Sequence, residues 1–595
     1  MIKQPTVLPP SKQWNQQNTG FLFGSIYQSQ NVTMDVGGII SLSKRAQYVG
    51  QTDTSGTPRL GYVLSITYDG QALTGAEKYY ILGSNALYRM SQSLGSFEVD
   101  PTASQPTFGT AFSDAVIWTD GLYASTTNNV SKLVSSAWTG SQMSFTTSAI
   151  PHPLCASASA NYLLGGNGNI LRQKDPSTGT VTTALTLPSN YRIQWIRSDY
   201  SRTLIGTRNL NGGNTAVFEW DEVSPTWTNK YDIDAQWVYS GCFRNTDFFT
   251  VTNDGRLLKF NGGGFSLAAQ WPIYKTLEGD WVNGFTLSTV HQRGMDVVEG
   301  KLNIMVNAEI NGTGNYYPNF PSGVWEFDES TGLNHKYGAT YSTNETDFNQ
   351  IALGAGAGAI APIVIDPISG GPAAATGATI LFGARVDGAT SSGYYELLSV
   401  TTDGPNRGSF VTTRIETQDI GDDAKKLWCK FRGLFTSADK IIFKIKERVR
   451  NGLPFSTNNS VTWSSTTVFT TNASDVAQWA NAQVGDEVTV VDRAGAGSAA
   501  HILSITGPST NVYTVTLDEA IPGITASDTG NVIVDNFRKL ETSITYTDEM
   551  PYKGIPLEQE NPSDWVQVKV EMRGSYLVTI EELQLVTATH ELPTV

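Results

Sequence analysis

The chain has 595 residues, a formal charge of −15 and 57 glycines, and only 16% of its residues are charged. A domain with a single core usually has at most about 200 residues, so this length predicts several domains or one large β-domain with additions. The abundant Gly, Tyr and Trp favour strands over helices, and the acidic balance argues against general adhesion to nucleic acid or anionic membranes.

Residues 1–36 predict an N-terminal arm that lacks the repeat described next. The start, MIKQPTVLPPSKQWNQQ, has no apolar signal-peptide core, so we expect no signal-dependent export. No stretch approaches the roughly 20 apolar residues of a membrane helix. We therefore expect no membrane-spanning segment.

Residues 37–408 contain a repeated sequence pattern, in which an apolar strand, a Gly or Asn turn and an aromatic or aliphatic strand follow one another. Seven segments carry it: 79–90, 115–125, 161–173, 203–221, 247–260, 302–328 and 379–398. Most of these segments start at a distance from the previous one that is near the roughly 40–50 residues of a four-stranded propeller blade. Loop insertions account for the longer distances. The repeat predicts an irregular, about seven-bladed β-propeller, in an all-β chain.

The turns and aromatic residues of this region fit that prediction. Asn253-Asp254-Gly255 supplies residues that tolerate positive φ, as tight hairpins require. Phe249 and Val251 alternate with Thr250 and Thr252, which predicts one buried face per strand. Large indole side chains are expected to pack between blades: Trp220, Trp227 and Trp325.

Residues 409–454 and 537–595 have longer, more charged strands and predict a β-sheet platform. In the first of them, Leu427, Cys429 and Phe431 alternate with Lys426, Trp428, Lys430 and Arg432. In WVQVKVEMRG, Val566, Val568, Val570 and Met572 alternate with polar residues. We expect these strands to be partners in one antiparallel sheet that packs on a core by one face.

Residues 455–536 interrupt the platform and predict an inserted small β-barrel. A short helix is expected in ASDVAQWANAQ, with Val476, Trp479 and Ala480 on one face and Asn472 or Ser474 as its cap. Four strands follow, in DEVTVVD, HILSIT, VYTVTLD and NVIVD.

The platform also carries a concentration of positive charge between residues 425 and 450. This segment contains nine basic residues and only two acidic ones, Asp439 and Glu447, so its net charge is +7. They are Lys425, Lys426, Lys430, Arg432, Lys440, Lys444, Lys446, Arg448 and Arg450. Two interpretations stay open: a solvated sheet face, or a contact surface for an acidic neighbouring subunit or for passing DNA.

No pattern of catalytic residues emerges from the sequence. The five histidines are isolated, and no zinc, phosphate-loop or nucleophile-elbow motif is present. Acidic residues such as Asp221, Asp254 and Asp328 occupy turn positions that favour Asp for local reasons. The cysteines, Cys155, Cys242 and Cys429, are expected to be buried free thiols. We expect no enzyme activity, no metal and no cofactor.

The order of parts resembles virion tail proteins of tailed bacteriophages, most closely the tail nozzle or tail tubular hub of short-tailed phages. The resemblance is carried by GGIISLSKRAQYVG (37–50), the irregular blades, and the strands TTRIETQDIGDDAKKLWCKFRG and WVQVKVEMRG. It implies a structural protein of the virion tail, made in the host cytoplasm. It also implies a ring of six identical subunits that contacts adaptor and fibre proteins and lets phage DNA pass.

Two other functions are compatible with the sequence. A receptor- or glycan-binding propeller would present aromatic side chains to sugar rings, and Tyr316-Tyr317 and Tyr394-Tyr395 are candidates. A propeller glycosidase is the less favoured alternative. Its sialidase-type motif has one near match, STNNSVTW (456–463), which lies outside the repeats.

Overall fold

The computed structural model describes most of residues 114–271 and 436–548, and elsewhere mainly the strands given below. The longest ranges outside the description are 9–25, 49–62, 272–291, 338–359 and 365–377. The chain is all-β, and its described part contains one four-residue α-helix.

Five strands come first in the chain. They are β1 (Thr6–Leu8), β2 (Ile26–Gln30), β3 (Val32–Met34), β4 (Ile40–Leu42) and β5 (Arg45–Tyr48). The first four belong to the platform sheets, and β5 pairs with a strand some 350 residues later. Residues 1–36 therefore contribute strands to the platform, while the predicted domain boundaries stay predictions.

Four-stranded antiparallel sheets, here called sheets 1–7, make up the next part of the described chain. Sheet 1 contains β6 (Val63–Asp69), β7 (Lys78–Gly83), β8 (Leu87–Met90) and β9 (Phe97–Val99). Sheet 2 contains β10 (Ala115–Trp118), β11 (Gly121–Ser125), β12 (Asn129–Val134) and β13 (Ala137–Ser144). Sheet 3 contains β14 (Leu154–Ala156), β15 (Leu163–Asn167), β16 (Ile170–Lys174) and β17 (Val181–Thr186).

Sheet 4 contains β18 (Tyr191–Ser198), β19 (Thr203–Asn209), β20 (Thr215–Trp220) and β21 (Asn229–Ile233). Sheet 5 contains β22 (Val238–Arg244), β23 (Asp247–Thr252), β24 (Arg256–Phe260) and β25 (Phe265–Gln270). In sheet 6, β26 (Met295–Val298) and β27 (Lys301–Val306) are followed by a short hairpin of β28 (Glu309–Ile310) and β29 (Asn315–Tyr316), then by β30 (Gly323–Asp328) and β31 (Gly332–Tyr337). Sheet 7 contains β32 (Ile360–Val364), β33 (Ala378–Val386) and β34 (Tyr394–Thr401), and β5 is its fourth strand.

Each of the seven repeat segments lies in a different one of these sheets. The first strands of successive sheets contact one another, from β6 through β10, β14, β18, β22 and β26 to β32. The last of them, β32, contacts β6. Sheets of this form in this cyclic order fit the blades of a propeller.

Apolar clusters fill the spaces between consecutive sheets from sheet 1 to sheet 6. Trp220 packs between sheets 3 and 4 and donates its indole N–H to Ser224 O at 2.8 Å, while Trp325 packs between sheets 5 and 6. Both faces of β23 are covered, so the prediction of one buried face is wrong for this strand. Thr250 and Thr252 are fully buried, and the Thr250 hydroxyl donates to Ser240 O at 2.7 Å.

The platform is a sandwich of two sheets. Its further strands are β35 (Asn406–Thr412), β36 (Ile415–Glu416), β37 (Ala424–Arg432), β38 (Lys440–Lys446) and, after the barrel, β45 (Arg538–Lys539), β46 (Ile544–Thr545), β47 (Tyr552–Pro556), β48 (Trp565–Gly574) and β49 (Thr579–Thr587). One sheet has the order β3-β4-β49-β37-β47, with β1 on β49. The other has the order β2-β35-β48-β38-β45, with β36 on β48 and β46 on β38.

The prediction that β37 and β48 share one sheet is therefore wrong. The two strands lie in opposite layers, and their apolar faces meet in one core that contains Leu427, Phe431, Val568 and Met572. Alternation tells which side chains point inward, but it does not tell which strands pair.

The insertion is a closed six-stranded barrel, ordered β39-β40-β43-β42-β41-β44. Its strands are β39 (Ser460–Trp463), β40 (Val468–Thr471), β41 (Glu487–Val490), β42 (Ala499–Ser509), β43 (Val512–Leu517) and β44 (Thr529–Asp535). A 3-10 turn, Ala473–Asp475, is capped by Asn472 and leads into α1 (Val476–Trp479). Trp479 is buried in the barrel core as predicted, but Ala480 is exposed, because the helix is only one turn long.

The junction of sheets 4 and 5 yields a stability prediction. The buried Trp195 indole lies against Gly206 and Gly241, and a Cβ at Gly206 would overlap the ring. Gly206→Ala should lower the free energy of unfolding by about 1–3 kcal/mol, because the indole has no space to move into. Urea unfolding followed by circular dichroism measures this change. Gly263→Ala, where a Cβ meets nothing within 4 Å, is the matched control, and equal effects at the two sites would contradict the packing argument.

Candidate functional site

The basic segment of the platform divides into a buried part and an exposed part. Lys444 and Lys446 are 1% and 0% exposed, so they are not part of an exposed face. Neither of the two interpretations, a solvated face or a contact surface, holds for these two residues, because the inserted barrel covers this side of β38 and β48. Lys430, Arg432, Lys440 and Arg450 are at least partly accessible, and a contact role for them stays a prediction.

A buried carboxylate joins the barrel to the platform. Glu487, at the start of β41, contacts Lys444 of β38 and Lys569 of β48, which are opposite one another in register. The Lys444 ammonium also lies 2.8 Å from the carboxylate of Glu571, on β48. A lone buried charge is strongly unfavourable, so each of these groups depends on the others.

The charges of this cluster determine its protonation. Burial raises the pKa of the Glu487 carboxyl, but Lys444 and Lys569 outweigh burial and hold that pKa at about 2. Burial lowers the pKa of the Lys444 ammonium, but Glu487 and Glu571 reverse the effect and raise it. Glu487 and Lys444 are therefore both charged near neutral pH.

A second ionic contact lies beside the first. Glu519, which follows β43 of the barrel, accepts from Arg573 of β48 at 2.8 Å and from Lys539 of β45 at 2.6 Å. Burial raises the pKa of Glu519, but these two cations hold it at about 2.

Two further pairs involve basic residues named from the sequence. Lys446 lies 2.6 Å from Asp535 at the end of β44, and Arg450 pairs with Asp486 just before β41. The barrel is thus fixed to the platform by salt bridges from several strands, which restrict its orientation more than an apolar contact would.

The exposed part is a face of the other platform sheet, here called the outer platform face: Trp428, Lys430, Arg432, Tyr552 and Glu581. The side chains of Trp428, Tyr552 and Arg432 are 38%, 46% and 72% exposed. Lys430 lies 2.8 Å from the Glu581 carboxylate and 5.6 Å from the centre of the Tyr552 ring. Two cations share one carboxylate here, so this face keeps positive charge beside aromatic surface, which suits an acidic partner.

Four basic residues of the segment remain. Lys440 is half-buried on β38, where it is opposite Arg573 and Thr545. Arg448 and the side chains of Lys425 and Lys426 lie outside the described residues.

A third charged cluster, which the sequence did not predict, connects three of the four-stranded sheets. Arg293, just before β26, donates to both oxygens of the buried Asp114 carboxylate at 2.8 and 3.0 Å, and to Leu154 O at 2.8 Å. Arg197 donates to three backbone carbonyls, among them Gly241 O at 2.8 Å. Asp114 adjoins sheet 2 and Leu154 begins sheet 3, so Arg293 of sheet 6 contacts sheets that are not its neighbours in the cyclic order.

The acidic residues at turns have local structural partners. Asp221 accepts from the backbone N–H of Val223 and Ser224 at 3.0 and 2.8 Å, and Asp328 accepts from that of Ser330 at 2.8 Å. Asp254 pairs with Arg256 across its turn, where Gly255 has φ +82°. The near match to a sialidase motif lies in the barrel, where Trp463 is a core residue.

The surroundings of His152, His501 and the three cysteines are described. The His152 ring is buried and lies 2.9 Å from Gly166 O, and His501 is buried with its Nδ1 3.9 Å from Asp518. Cys242 and Cys429 are buried free thiols, and Cys155 is a half-buried one. The part of the chain that the structure describes has no group of His, Cys, Asp or Glu arranged to hold a metal ion. The helix found there is too short to cross a membrane.

No protein-family model and no curated protein matches the sequence. Among solved structures, Sqt1 of Saccharomyces cerevisiae is similar at 9% sequence identity. The match covers 57% of this chain and 96% of Sqt1, with a TM-score of 0.36. The computationally designed Ika8 protein is similar at 8% identity, 57% and 84% coverage and a TM-score of 0.33. Hydrazine synthase of Kuenenia stuttgartiensis is similar at 12% identity, 47% and 80% coverage and a TM-score of 0.32. None of the three is a phage tail protein, and TM-scores this low carry no argument about fold or function.

The barrel–platform contact predicts a large effect from a small substitution. Glu487→Gln leaves Lys444 and Lys569 without their shared carboxylate, so barrel stability should fall by about 3–5 kcal/mol at pH 7. Hydrogen–deuterium exchange in peptides from 460–535 measures this loss. The matched control is Glu329→Gln, which removes a carboxylate that is 46% exposed, and its effect should stay below about 1 kcal/mol.

The same contact predicts that barrel stability falls with acid. Burial and the charge of Lys444 lower the pKa of His501 from 6.5 to about 4. Between these pH values the unfolded chain binds more protons than the folded chain, so the stability of the barrel falls as the pH is lowered. Glu487 and Glu519, at about 2 against an ordinary 4.5, add the same effect below pH 4.5. Burial raises the pKa of Asp486, which has the opposite effect on stability. It is one group, and His501, Glu487 and Glu519 are three.

Barrel stability should therefore be level above about pH 7 and decline toward pH 4, and steeply below pH 4.5. Hydrogen–deuterium exchange of the barrel peptides, measured from pH 7 to pH 4 and corrected for the intrinsic exchange rate of the amides at each pH, tests this pH dependence. His501→Gln should remove the decline between pH 6.5 and pH 4.5. A wild-type barrel whose stability is unchanged over this range would contradict the assignment.

Proposed function

We propose that this chain is a structural component of a bacteriophage tail, of the nozzle or hub type, built from a seven-bladed propeller and a platform with a clamped barrel. The observation that carries the proposal is the order and joining of these parts. Seven blade-like sheets lead into a β-sandwich, N-terminal strands return to that sandwich, and the inserted barrel is fixed to it by buried salt bridges.

In this proposal sheets 1–7 are the blades. Their cyclic contacts and the position of β5 as the fourth strand of sheet 7 support a closed ring, because a strand from the start of the chain then completes the last blade. Arg293 supports it further, since a side chain that contacts sheets 2 and 3 from sheet 6 must extend across the centre of such a ring.

The virion role rests on the rigidity of this construction and on the outer platform face. A conduit under load requires domains that do not swing, and buried salt bridges provide that. The outer platform face would contact an acidic surface of the next subunit, in a chain whose net charge is −15. Six copies would form a ring below an adaptor protein, hold fibres outside and let DNA pass, without catalysis or a cofactor.

Negative-stain imaging of the purified full chain tests the proposal. Rings with a central channel are expected. Stable monomers at every concentration, in a protein that never enters virions, would contradict it. Binding of host surface polysaccharide by such monomers would instead support a receptor-binding propeller.

A charge reversal tests the contact that the proposal assigns to the outer platform face. Lys430→Glu with Arg432→Glu should reduce ring formation at least tenfold, because like charges would then oppose an acidic neighbour. The dissociation constant from sedimentation velocity gives the effect. Lys230→Glu, on sheet 4, is the control and should leave the rings intact, and an equal loss in both variants would argue against this face.

A further inference from the structure

Two arginines lie side by side at one end of sheet 4. Arg192 on β18 and Arg208 on β19 are directly opposite one another in the antiparallel register. Both are half-buried. Like charges at directly opposite positions of paired strands destabilise a sheet, so this arrangement lowers the stability of the fold unless something offsets it.

One neighbour offsets part of the repulsion. The Arg208 guanidinium lies 4.2 Å from the centre of the Trp237 ring, and Trp237 directly precedes β22 of sheet 5. The Trp237 ring in turn packs on Tyr239, with ring centres 4.7 Å apart. The arginine pair therefore lies at the junction of two sheets, with an aromatic wall on one side.

No described acidic side chain forms an ion pair with either arginine, although other buried or partly buried cations of the described chain, such as Arg293, Lys444 and Arg573, have one. The buried Nε–H groups of Arg192 and Arg208 and the indole N–H of Trp237 have no hydrogen-bond partner in the described structure. Burial, followed by the charge of Arg208, lowers the pKa of Arg192. What distinguishes this place is two half-buried guanidinium groups that lie together without a described acidic partner, and such a local excess of positive charge favours a bound anion.

The geometry points to a site for a tetrahedral oxyanion, a phosphate or phosphate ester, held by Arg192 and Arg208 beside Trp237. Two guanidinium groups supply forked N–H donors that match the oxygens of phosphate, and two positive charges match a dianion. The Trp237 ring, 4.2 Å from the guanidinium, keeps the Arg208 plane in position. This site is independent of the proposed virion role.

Titration calorimetry with sodium phosphate at constant ionic strength tests the site. The wild-type chain should bind one phosphate with a saturable signal below about 10 mM. Arg192→Gln and Arg208→Gln should each weaken binding at least tenfold. Lys553→Gln, which removes a partly exposed platform cation that pairs with Asp548, is the control and should bind like the wild type.

The melting temperature without phosphate separates a binding role from a structural one. Arg192→Gln relieves the repulsion, so its melting temperature should equal or exceed that of the wild type. A fall in this temperature would mean that Arg192 serves the fold, and would overturn the proposal. So would the absence of saturable phosphate binding, unchanged binding in both variants, or acetate binding as tightly as phosphate.

Discussion

One buried carboxylate constrains much of the C-terminal half. Glu487 of the barrel lies between Lys444 and Lys569, on two paired strands of the platform, and is 2% exposed. Three charges removed from water are stable only at short distance and in a fixed arrangement, so the barrel has few orientations that keep them paired. The polar face of β48, which the alternation assigned to solvent, is buried for this reason: Gln567 and Glu571 lie under the barrel.

The N-terminal half depends on a different constraint, which is contact between sheets on both faces. Apolar clusters on either side of sheet 5 cover both faces of β23, so even its threonines are buried, and the Thr250 hydroxyl donates to a carbonyl. The Trp195 ring requires glycine at Gly206 to fit between sheets 4 and 5, and Gly241 leaves room for Phe248 and for the edge of the same ring. Arg293 adds a polar link among sheets 2, 3 and 6. Rigid sheets joined in this way suit a protein whose proposed role is mechanical.

The repeat and the barrel could be predicted from the sequence because both depend on local patterns. Turn residues and short apolar strands at near-regular spacing marked all seven sheets, and four strand signals marked the barrel. The pairing in the platform could not be predicted in the same way. Alternation fixes which side of β37 is apolar, but strands in opposite layers of a sandwich and strands in one sheet share that pattern.

The charged sites were harder still, because their meaning depends on what covers them. Lys430 and Lys444 are both basic residues on alternating platform strands, yet one is accessible and the other is buried against Glu487. Asp114 and Arg293 are 179 residues apart, and no local signal connects them. Arg192 and Arg208 attract attention only when the register places them opposite one another.

The most direct test of this account is a double-mutant cycle on Glu487→Gln and Lys569→Met, with the opening free energy of barrel amides taken from hydrogen exchange. If the buried carboxylate and the platform lysine act as one unit, the two substitutions should be coupled by about 1–3 kcal/mol. Effects that add to within about 0.5 kcal/mol would mean that the barrel does not depend on this contact, and would contradict the central claim.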